Sequence, residues 1–256
     1  WNPKSQNIKE ILSELNIGFE SALFLDDSDF ELSEVSSILE IDCIKVSTNN
    51  LVENLAIFED LMSIKTLNIS NEDRCKSEQY LTHKKRRKKQ DEYTSIDGYL
   101  SSIEMKITMS LNNTNQIKRI AQLVNKTNQF NSTTKRYSET EILKIMKSCK
   151  VFSFSLIDKF GDLGLISVVI VEGVNIKSFL MSCRALGRGV EKKIMYLIAS
   201  RYSVPLTADY IKTSKNHQVE SFYEKISVKR KTVGTNLITY FFPITIDNIN
   251  HITEER

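Results

Sequence analysis

A glycine-containing turn within residues 178–190 carries the residues best suited to chemistry in this sequence. Arg184, Gly187 and Gly189 form an R-x-x-G-x-G pattern between an apolar strand and a helix with apolar residues at helical spacing. Glycines at such a junction let the main chain approach a phosphate, and the free N–H groups of the first helical turn favour the anion. The pattern predicts a phosphate-binding turn, in which a bulky residue at Gly189 would occupy the anion's place. A plain strand-turn-helix, with glycines for packing, is the alternative.

Two adjacent carboxylates suggest a separate site near the amino terminus. Asp26 and Asp27 follow the apolar run 22–25, so they stand at the carboxyl end of a predicted strand, where open α/β sheets place their ligands. Carboxylate oxygens suit Mg²⁺, and because two carboxylates alone form an incomplete site, weak Mg²⁺ binding is expected. Lys4 lies in the loop before the preceding helix. The alternative is a turn that caps the helix predicted at 30–39.

Several single residues in the second half of the chain have side chains that suit acyl transfer. Cys183 adjoins an arginine and a helix amino terminus, which favour a thiolate that could form a thioester; a small residue ending a strand is the alternative. Tyr223 could protonate a departing thiolate as a general acid, or pack as an aromatic residue under the sheet. A polar cluster that could line an acyl pocket, or bond only nearby main chain, contains Asn128, Gln129 and Asn131.

The elements that must position these residues follow one another from residue 103 to 242. A capping box at 138–141 marks the start of one helix, and glycines in KFGDLG mark the turn of a hairpin. Apolar periodicity supplies the remaining elements. In order, the prediction is a strand at 105–111, helices at 115–125 and after 138, strands at 151–156, 165–170 and 175–183, the glycine-led helix, a strand at 207–213, a helix at 216–226 and a strand at 237–243.

This order resembles the fold of the GNAT acyltransferases, in which an R-x-x-G-x-G turn holds the phosphates of an acyl-CoA or of a phosphopantetheine arm. A second motif adds to the resemblance, because Asn216, Tyr223 and Lys225 belong to an N-x-x-V-x-x-F-Y-x-K pattern that closes many such domains. The resemblance implies that CoA or phosphopantetheine is bound by residues around both motifs, namely Met181, Arg184, Leu186, Gly187, Arg188, Gly189 and Asn216.

Nearly the whole chain, in order, is similar to the FkbH-like proteins, which join a HAD-like phosphatase domain to a GNAT-like domain. The similar segments are WNPKSQNI, FLDDSDFE, NEDR-x-x-x-E-Q-Y, NKTNQFNSTTKRY, FGDLGL and FLMSCRALGRGVE. The resemblance implies that Lys4 steadies a phosphate and that Asp26 and Asp27 hold magnesium. It also implies transfer of a glyceryl unit from 1,3-bisphosphoglycerate, a phosphorylated three-carbon acyl donor, to an acyl carrier protein in polyketide-type biosynthesis, with loss of the phosphate.

One feature of such phosphatases has no counterpart here. Their nucleophilic aspartate lies in a D-x-D-x-T motif upstream of the lysine loop, whereas this sequence opens on Trp1, three residues before Lys4. We therefore expect a chain truncated at its amino terminus and without the phosphatase nucleophile. The alternative function is a CoA-dependent N- or O-acyltransferase with a non-catalytic HAD-like scaffold, and a module that only binds pantetheine is a third possibility.

We expect an α/β protein in three parts. Residues 1–68 form the carboxyl-terminal part of a HAD-like Rossmannoid domain, residues 69–95 a helical basic linker, and residues 96–256 a GNAT-like domain with a mixed, mostly antiparallel sheet. The linker carries HKKRRKK at 83–89, which is either a solvated helix face or a patch that steers an acidic carrier protein.

Composition argues against several function classes. The formal net charge is only +3 and no aromatic residues interleave the basic run, so nucleic acid is not an expected partner. No apolar run approaches the ~18 residues of a membrane helix, so no membrane partner is expected. The 4 cysteines and 3 histidines are too scattered for a zinc site, and we expect reduced thiols and a cytoplasmic location.

Overall fold

The computed structural model describes residues 2–15, 17–19, 22–63, 86, 89, 93–233 and 236–255. The chain divides into two compact units, Trp1–Lys88 and Lys89–Arg256. Most of the linker predicted at 69–95, including the NEDR segment and most of the basic run, lies outside the described residues. Among the described helices, none is both long and apolar enough to cross a membrane.

The amino-terminal unit contains a small parallel β-α-β arrangement. Its elements are α1 (Lys4–Leu15), β1 (Leu23–Asp26), α2 (Asp29–Ile38), β2 (Asp42–Lys45) and α3 (Leu51–Ser63). Strands β1 and β2 pair in parallel from Leu23 opposite Asp42 to Asp26 opposite Lys45. The side chain of Ser28 accepts the N–H of Glu31 and caps α2. Within the described part of this unit the sheet has these two strands, so a HAD-like domain remains a prediction.

The carboxyl-terminal unit is a mixed α/β structure. Its elements are α4 (Ile96–Ser102), β3 (Met105–Leu111), α5 (Ile117–Lys126), α6 (Glu139–Ser148), β4 (Lys150–Asp158), β5 (Gly161–Glu172), β6 (Asn175–Met181), α7 (Val190–Ala199), β7 (Thr207–Ile211), α8 (His217–Ile226), β8 (Lys229–Val233), β9 (Leu237–Phe241) and β10 (Ile252–Glu255). Short 3₁₀ turns precede α5 (Thr114–Gln116) and follow β6 (Cys183–Ala185). The predicted element order between residues 103 and 242 is confirmed, with β8 as an addition.

The eight strands form one sheet in the order β10-β3-β4-β5-β6-β7-β9-β8. Pairs β10-β3 and β6-β7 are parallel, and the other pairs are antiparallel. The predicted mixed, mostly antiparallel sheet is therefore confirmed. The capping box that starts α6 is also present, because the side chains of Ser138 and Glu141 each bond the other residue's main-chain N–H.

Strand β5, at the centre of the sheet, carries a nearly continuous apolar run. Since successive side chains of a strand point to opposite faces, apolar side chains cover both faces of the sheet there. Helices α7 and α8 pack on one face through residues such as Ile194 and Phe222. Helices α5 and α6 pack on the other face through residues such as Ile120 and Ile142. Adjacent residues of β5 belong to different clusters, with Val168 facing α5 and Val169 facing α7. The core therefore holds β6 and the turn that follows it in a fixed position.

Candidate functional site

The predicted phosphate-binding turn has the geometry that an anion site requires. Gly187 and Gly189 have φ angles of 76° and 75°, in the left-handed region that glycine occupies at least cost. Gly189 precedes α7 and makes no side-chain cap, and the first helical bond runs from the N–H of Lys193 to its carbonyl at 3.0 Å. The N–H groups of the first turn consequently have no partner within the helix and point out of its amino terminus. This end of α7 can bind a phosphate.

A carboxyl-terminal segment packs against one side of this turn, at Gly189. Its position corrects the expectation that a side chain at Gly189 would occupy the anion's place. A Cβ atom on Gly189 would lie 3.7 Å from side-chain atoms of both Ile249 and His251, so a side chain there would point at this segment. The Nε2 of His251 lies 3.0 Å from the carbonyl oxygen of Arg188, to which it can donate. A Cβ on Gly187, by contrast, would meet nothing within 4 Å. The open face of the turn is therefore at Gly187.

The other residues predicted around the turn differ in what their side chains can offer. The Arg188 guanidinium lies 3.5 Å from the carboxylate of Asp158, and the side chains are 10% and 0% exposed, so Arg188 can offer a ligand mainly its main chain. Arg184 is half-buried and its Nη2 donates to the carbonyl of Leu165 at 3.2 Å. Met181 is buried in the core, Leu186 packs against the core, and Cys183 is exposed in the 3₁₀ turn.

Glu191, in the first turn of α7, was missed by the sequence reasoning. Burial raises the pKa of this carboxyl group, and no described residue forms a hydrogen bond with its Oε2 atom. An acidic residue in a first helical turn is usually a solvated partner of the helix dipole, so the burial of Glu191 could not be predicted from its position in the sequence. A phosphate bound at this turn would further disfavour the charged form of Glu191.

Strands β6 and β7 separate close to this turn. They pair only through Asn175 opposite Thr207 and Ile176 opposite Ala208. On its other side β6 pairs with β5, where Ile176 and Ser178 face consecutive residues and leave Lys177 as the extra residue of a β-bulge. A bulge bends its strand, so β6 turns away from β7 from this point onward. The gap that opens, called the split below, lies between residues 178–181 and residues 209–211.

Residues 130–133, called the insert below, lie in the split and bond to both strands. The N–H of Ser132 donates to the carbonyl of Phe179, and the N–H of Met181 donates to the carbonyl of Phe130, each at 2.9 Å. On the opposite side, the N–H of Ile211 donates to the carbonyl of Ser132 at 2.8 Å. The insert thus closes the sheet where its two strands diverge. Asn131 of the insert belongs to the cluster predicted to line an acyl pocket.

The amides of that cluster bond mainly to nearby groups. Asn131 is fully buried, and its Oδ1 accepts the N–H groups of Thr133 and Thr134 at 3.3 and 2.9 Å. Asn128 accepts a hydrogen bond from the side chain of Arg136. Gln129 is half-buried. The structure therefore brings Asn131 to the split, but with its oxygen already used by a turn of its own chain.

Asn216 fixes the insert in place. Its Nδ2 donates to the carbonyls of Asn131 and Ile211, both at 2.9 Å. Its Oδ1 accepts the N–H of Thr213 at 2.9 Å and the hydroxyl of Tyr210 at 3.1 Å. A side-chain amide has two donors and two acceptor positions, so all four are used within the protein. Asn216 consequently has no hydrogen-bonding capacity left for a cofactor while the insert is in place.

Tyr223 lies on the α8 side of the same split. It is completely buried, its ring contacts those of Tyr240 and Phe242, and no described residue gives its hydroxyl a hydrogen bond of normal geometry. Burial raises the pKa of Tyr223, and the neighbouring side chain of Ser132 opposes this only in part. A phenol in this state is protonated at neutral pH, as a general acid must be.

The amino-terminal unit brings Lys4 and Asp26 together, while the roles that the resemblance implies for them stay predictions. The Lys4 Nζ donates to Asp26 Oδ2 at 2.5 Å, and Asp26 Oδ1 accepts the N–H of Ser28 at 2.9 Å. The bond from Lys4 is the main cause that lowers the pKa of Asp26, and the same bond raises the pKa of Lys4. Asp27 is exposed.

These carboxylates do not by themselves make a magnesium site. Both oxygens of Asp26 already accept hydrogen bonds, and among the described residues no group of three or more histidine, cysteine, aspartate or glutamate side chains could hold a metal ion. Because Mg²⁺ can bind through one or two carboxylates and waters, weak Mg²⁺ binding at Asp26 and Asp27 stays a prediction. Two residues of the basic run at 83–89 lie in the described part of the chain. Arg86 is buried, and Lys89 is half-buried with its Nζ 5.6 Å from the ring centre of Tyr93. The other residues of the run lie outside the described part.

Comparisons with known proteins give matches among solved structures. No protein-family model and no curated protein matches the chain. An N-acetyltransferase from Staphylococcus aureus Mu50 is 14% identical, with 54% of this chain and 97% of that chain covered and a TM-score of 0.38. The N-acetyltransferase PseH from Campylobacter jejuni is 17% identical, with 53% and 96% covered and a TM-score of 0.35. FdhC, described as a nucleotide-linked sugar GNAT, is 14% identical, with 54% and 86% covered and a TM-score of 0.39.

Proposed function

We propose that the carboxyl-terminal unit is an acyltransferase that takes its acyl group from a thioester of CoA or of a phosphopantetheine arm and delivers it to an amine or hydroxyl group. The observation that carries this proposal is the turn between β6 and α7. It combines two glycines at positive φ with the free amino terminus of α7, and it directly follows the strand that borders the split. The element order, which resembles that of the GNAT acyltransferases, supports the same function.

The roles of the chain's own residues follow from their positions. The main-chain N–H groups from Gly187 to the first turn of α7 bind the phosphate end of the donor, with the open face of Gly187 leaving room for it. The bound donor supplies the activated acyl group as a thioester. Tyr223, whose pKa burial raises, holds a proton beside the split and can give it to the departing thiolate sulfur.

A second candidate is transfer of a glyceryl unit from 1,3-bisphosphoglycerate to an acyl carrier protein, with HAD-type phosphatase activity in a longer protein. The contact between Lys4 and Asp26 favours it, because the FkbH-like resemblance implies that this lysine steadies a phosphate and the aspartate pair stands beside it. An acidic carrier protein would then meet the basic run at 83–89.

A donor test separates the two candidates. The protein is incubated with acetyl-CoA or longer acyl-CoA donors and a panel of amines and alcohols, and in parallel with 1,3-bisphosphoglycerate and carrier protein. We expect free CoA thiol to appear in the first set and to depend on the acceptor. Glyceryl transfer to the carrier in the second set, with no turnover in the first, would instead support the second candidate. No turnover in either set, combined with tight CoA binding, would indicate a pantetheine-binding module.

A further inference from the structure

The insert uses the main-chain groups with which β6 could bind another chain in the split. The N–H and carbonyl of Phe179 bond to the side chain and N–H of Ser132 at 3.0 and 2.9 Å, and the N–H of Met181 bonds to Phe130. The carbonyl of Lys177 accepts the hydroxyl of Thr133 at 3.3 Å. From the bulge to the turn, these polar groups of β6 are therefore already paired with residues of this chain.

An arm anchored at the phosphate-binding turn needs the same groups. The turn follows β6 without interruption, so an extended arm that leaves the turn and reaches Tyr223 must run along β6 toward the split. A pantetheine arm carries two amides, and these can pair with a strand edge in the way that an added peptide does. The insert and such an arm therefore compete for one set of main-chain partners.

Resting on the function proposed above, we infer that the insert occupies the slot of the pantetheine arm and has to leave β6 before a thioester can reach Tyr223. Asn216 holds the closed state, because two carbonyls of the closed split, those of Asn131 and Ile211, accept its Nδ2. The released amide can then bond the arm in place of Asn131. The donor itself replaces the hydrogen bonds that opening breaks, so arm binding favours the open state.

A reversible disulfide that holds the insert on β6 tests this inference. Asn131 and Leu180 face each other as an isolated antiparallel bridge between two main-chain bonds, which makes them a non-hydrogen-bonded pair with close Cα atoms. Cysteines at such positions have a separation that a disulfide can span. The double variant Asn131→Cys, Leu180→Cys is therefore studied both oxidised and reduced, with each single variant carried through the same oxidation as the control.

Calorimetry of the two states uses CoA and the adenosine bisphosphate portion of CoA, which lacks the arm. We expect oxidation to lower CoA affinity by about tenfold or more, the size of losing roughly two hydrogen bonds, while nucleotide affinity stays unchanged. Reduction should restore CoA affinity. Equal CoA affinity in both states would overturn the inference and leave the proposed function standing. If the reduced variant and the wild-type protein bind neither probe, the proposed function fails and the inference fails with it.

Hydrogen exchange of the wild-type protein gives a test that requires no substitution. The N–H groups of Ser132 and Ile211 are bonded across the closed split, and the N–H of Lys159 is bonded to Ile103 away from it. Saturation with CoA should speed exchange at Ser132 and leave Lys159 unchanged. Unchanged or slower exchange at Ser132 in the CoA-bound protein would show that the insert stays in place, and would overturn the inference.

Discussion

Replacing Gly187 by alanine tests whether the turn before α7 receives a phosphate. Gly187 has a φ of 76°, and a Cβ there would meet nothing within 4 Å. A methyl group at this position therefore clashes with no protein atom and lies on the face that we assign to the anion. Gly173, in the turn between β5 and β6, is a matched control because its φ is 59° and its Cβ would also meet nothing within 4 Å.

The expected sizes follow from backbone strain and from the helix terminus. Holding a non-glycine residue in the left-handed region costs about 1–2 kcal/mol, so both variants should lose that much stability. This corresponds to a fall in melting temperature of about 2–8 °C for a unit of this size. Displacing an anion from a helix amino terminus costs about 1–2 kcal/mol, so only Gly187→Ala should also bind CoA about five- to thirtyfold more weakly.

The assay combines thermal unfolding with calorimetric titration of CoA into the three proteins. We expect the two variants to have similar melting temperatures and different affinities. If Gly187→Ala binds CoA as the wild-type protein does, the turn does not receive the phosphate. Equal loss of affinity in Gly173→Ala would give the same answer, since the loss would then follow stability rather than the position of the methyl group.

Three further predictions concern side chains. Asn216→Ala should lose about 2–4 kcal/mol of stability in denaturant unfolding, because it leaves buried main-chain groups unpaired, whereas exposed Lys215→Ala should change it by less than ~0.5 kcal/mol. Tyr223→Phe should lower the acyl-transfer rate by about 10²-fold or more, with little change in stability or CoA affinity. Since burial raises the pKa of Tyr223, the rate of the wild-type protein should show no loss from ionisation of this tyrosine up to about pH 10. Asp26→Asn should destabilise the protein at neutral pH but not in acid. The stability linked to the lowered pKa of Asp26 is present above the ordinary aspartate pKa and is lost as the pH falls through the lowered pKa. Asp27→Asn is the control, and equal effects of both variants at neutral pH would contradict the assignment of this stability to Asp26.

The element order could be predicted because it depends on local patterns. The helix after Ser138 is fixed by a capping box within four residues, and the strands that form the centre of the sheet are apolar runs. Strand β8, from Lys229 to Val233, could not be predicted in this way. All of its residues are exposed, and it is a strand only because it pairs with β9.

Only the parts of the candidate site that depend on residues close together in the sequence could be predicted. Glycines in an R-x-x-G-x-G pattern already indicate positive φ and a free helix end, and both are present. The insert has no such pattern, because its pairing with Phe179 and Ile211 joins residues far apart in the chain. For the same reason, the contact between Asn216 and Asn131, 85 residues apart, could not be inferred from a motif that resembles a cofactor contact.

The amide signals of this turn test whether the amino terminus of α7 binds the phosphate end of a thioester donor. Two-dimensional NMR spectra of the isotopically labelled protein are recorded while CoA is added. We predict that the largest shifts occur at the N–H groups of Gly187, Gly189 and Val190, which are the groups that we assign to phosphate binding. Saturable CoA binding that leaves these three signals unmoved would show that the phosphate end binds elsewhere on the protein.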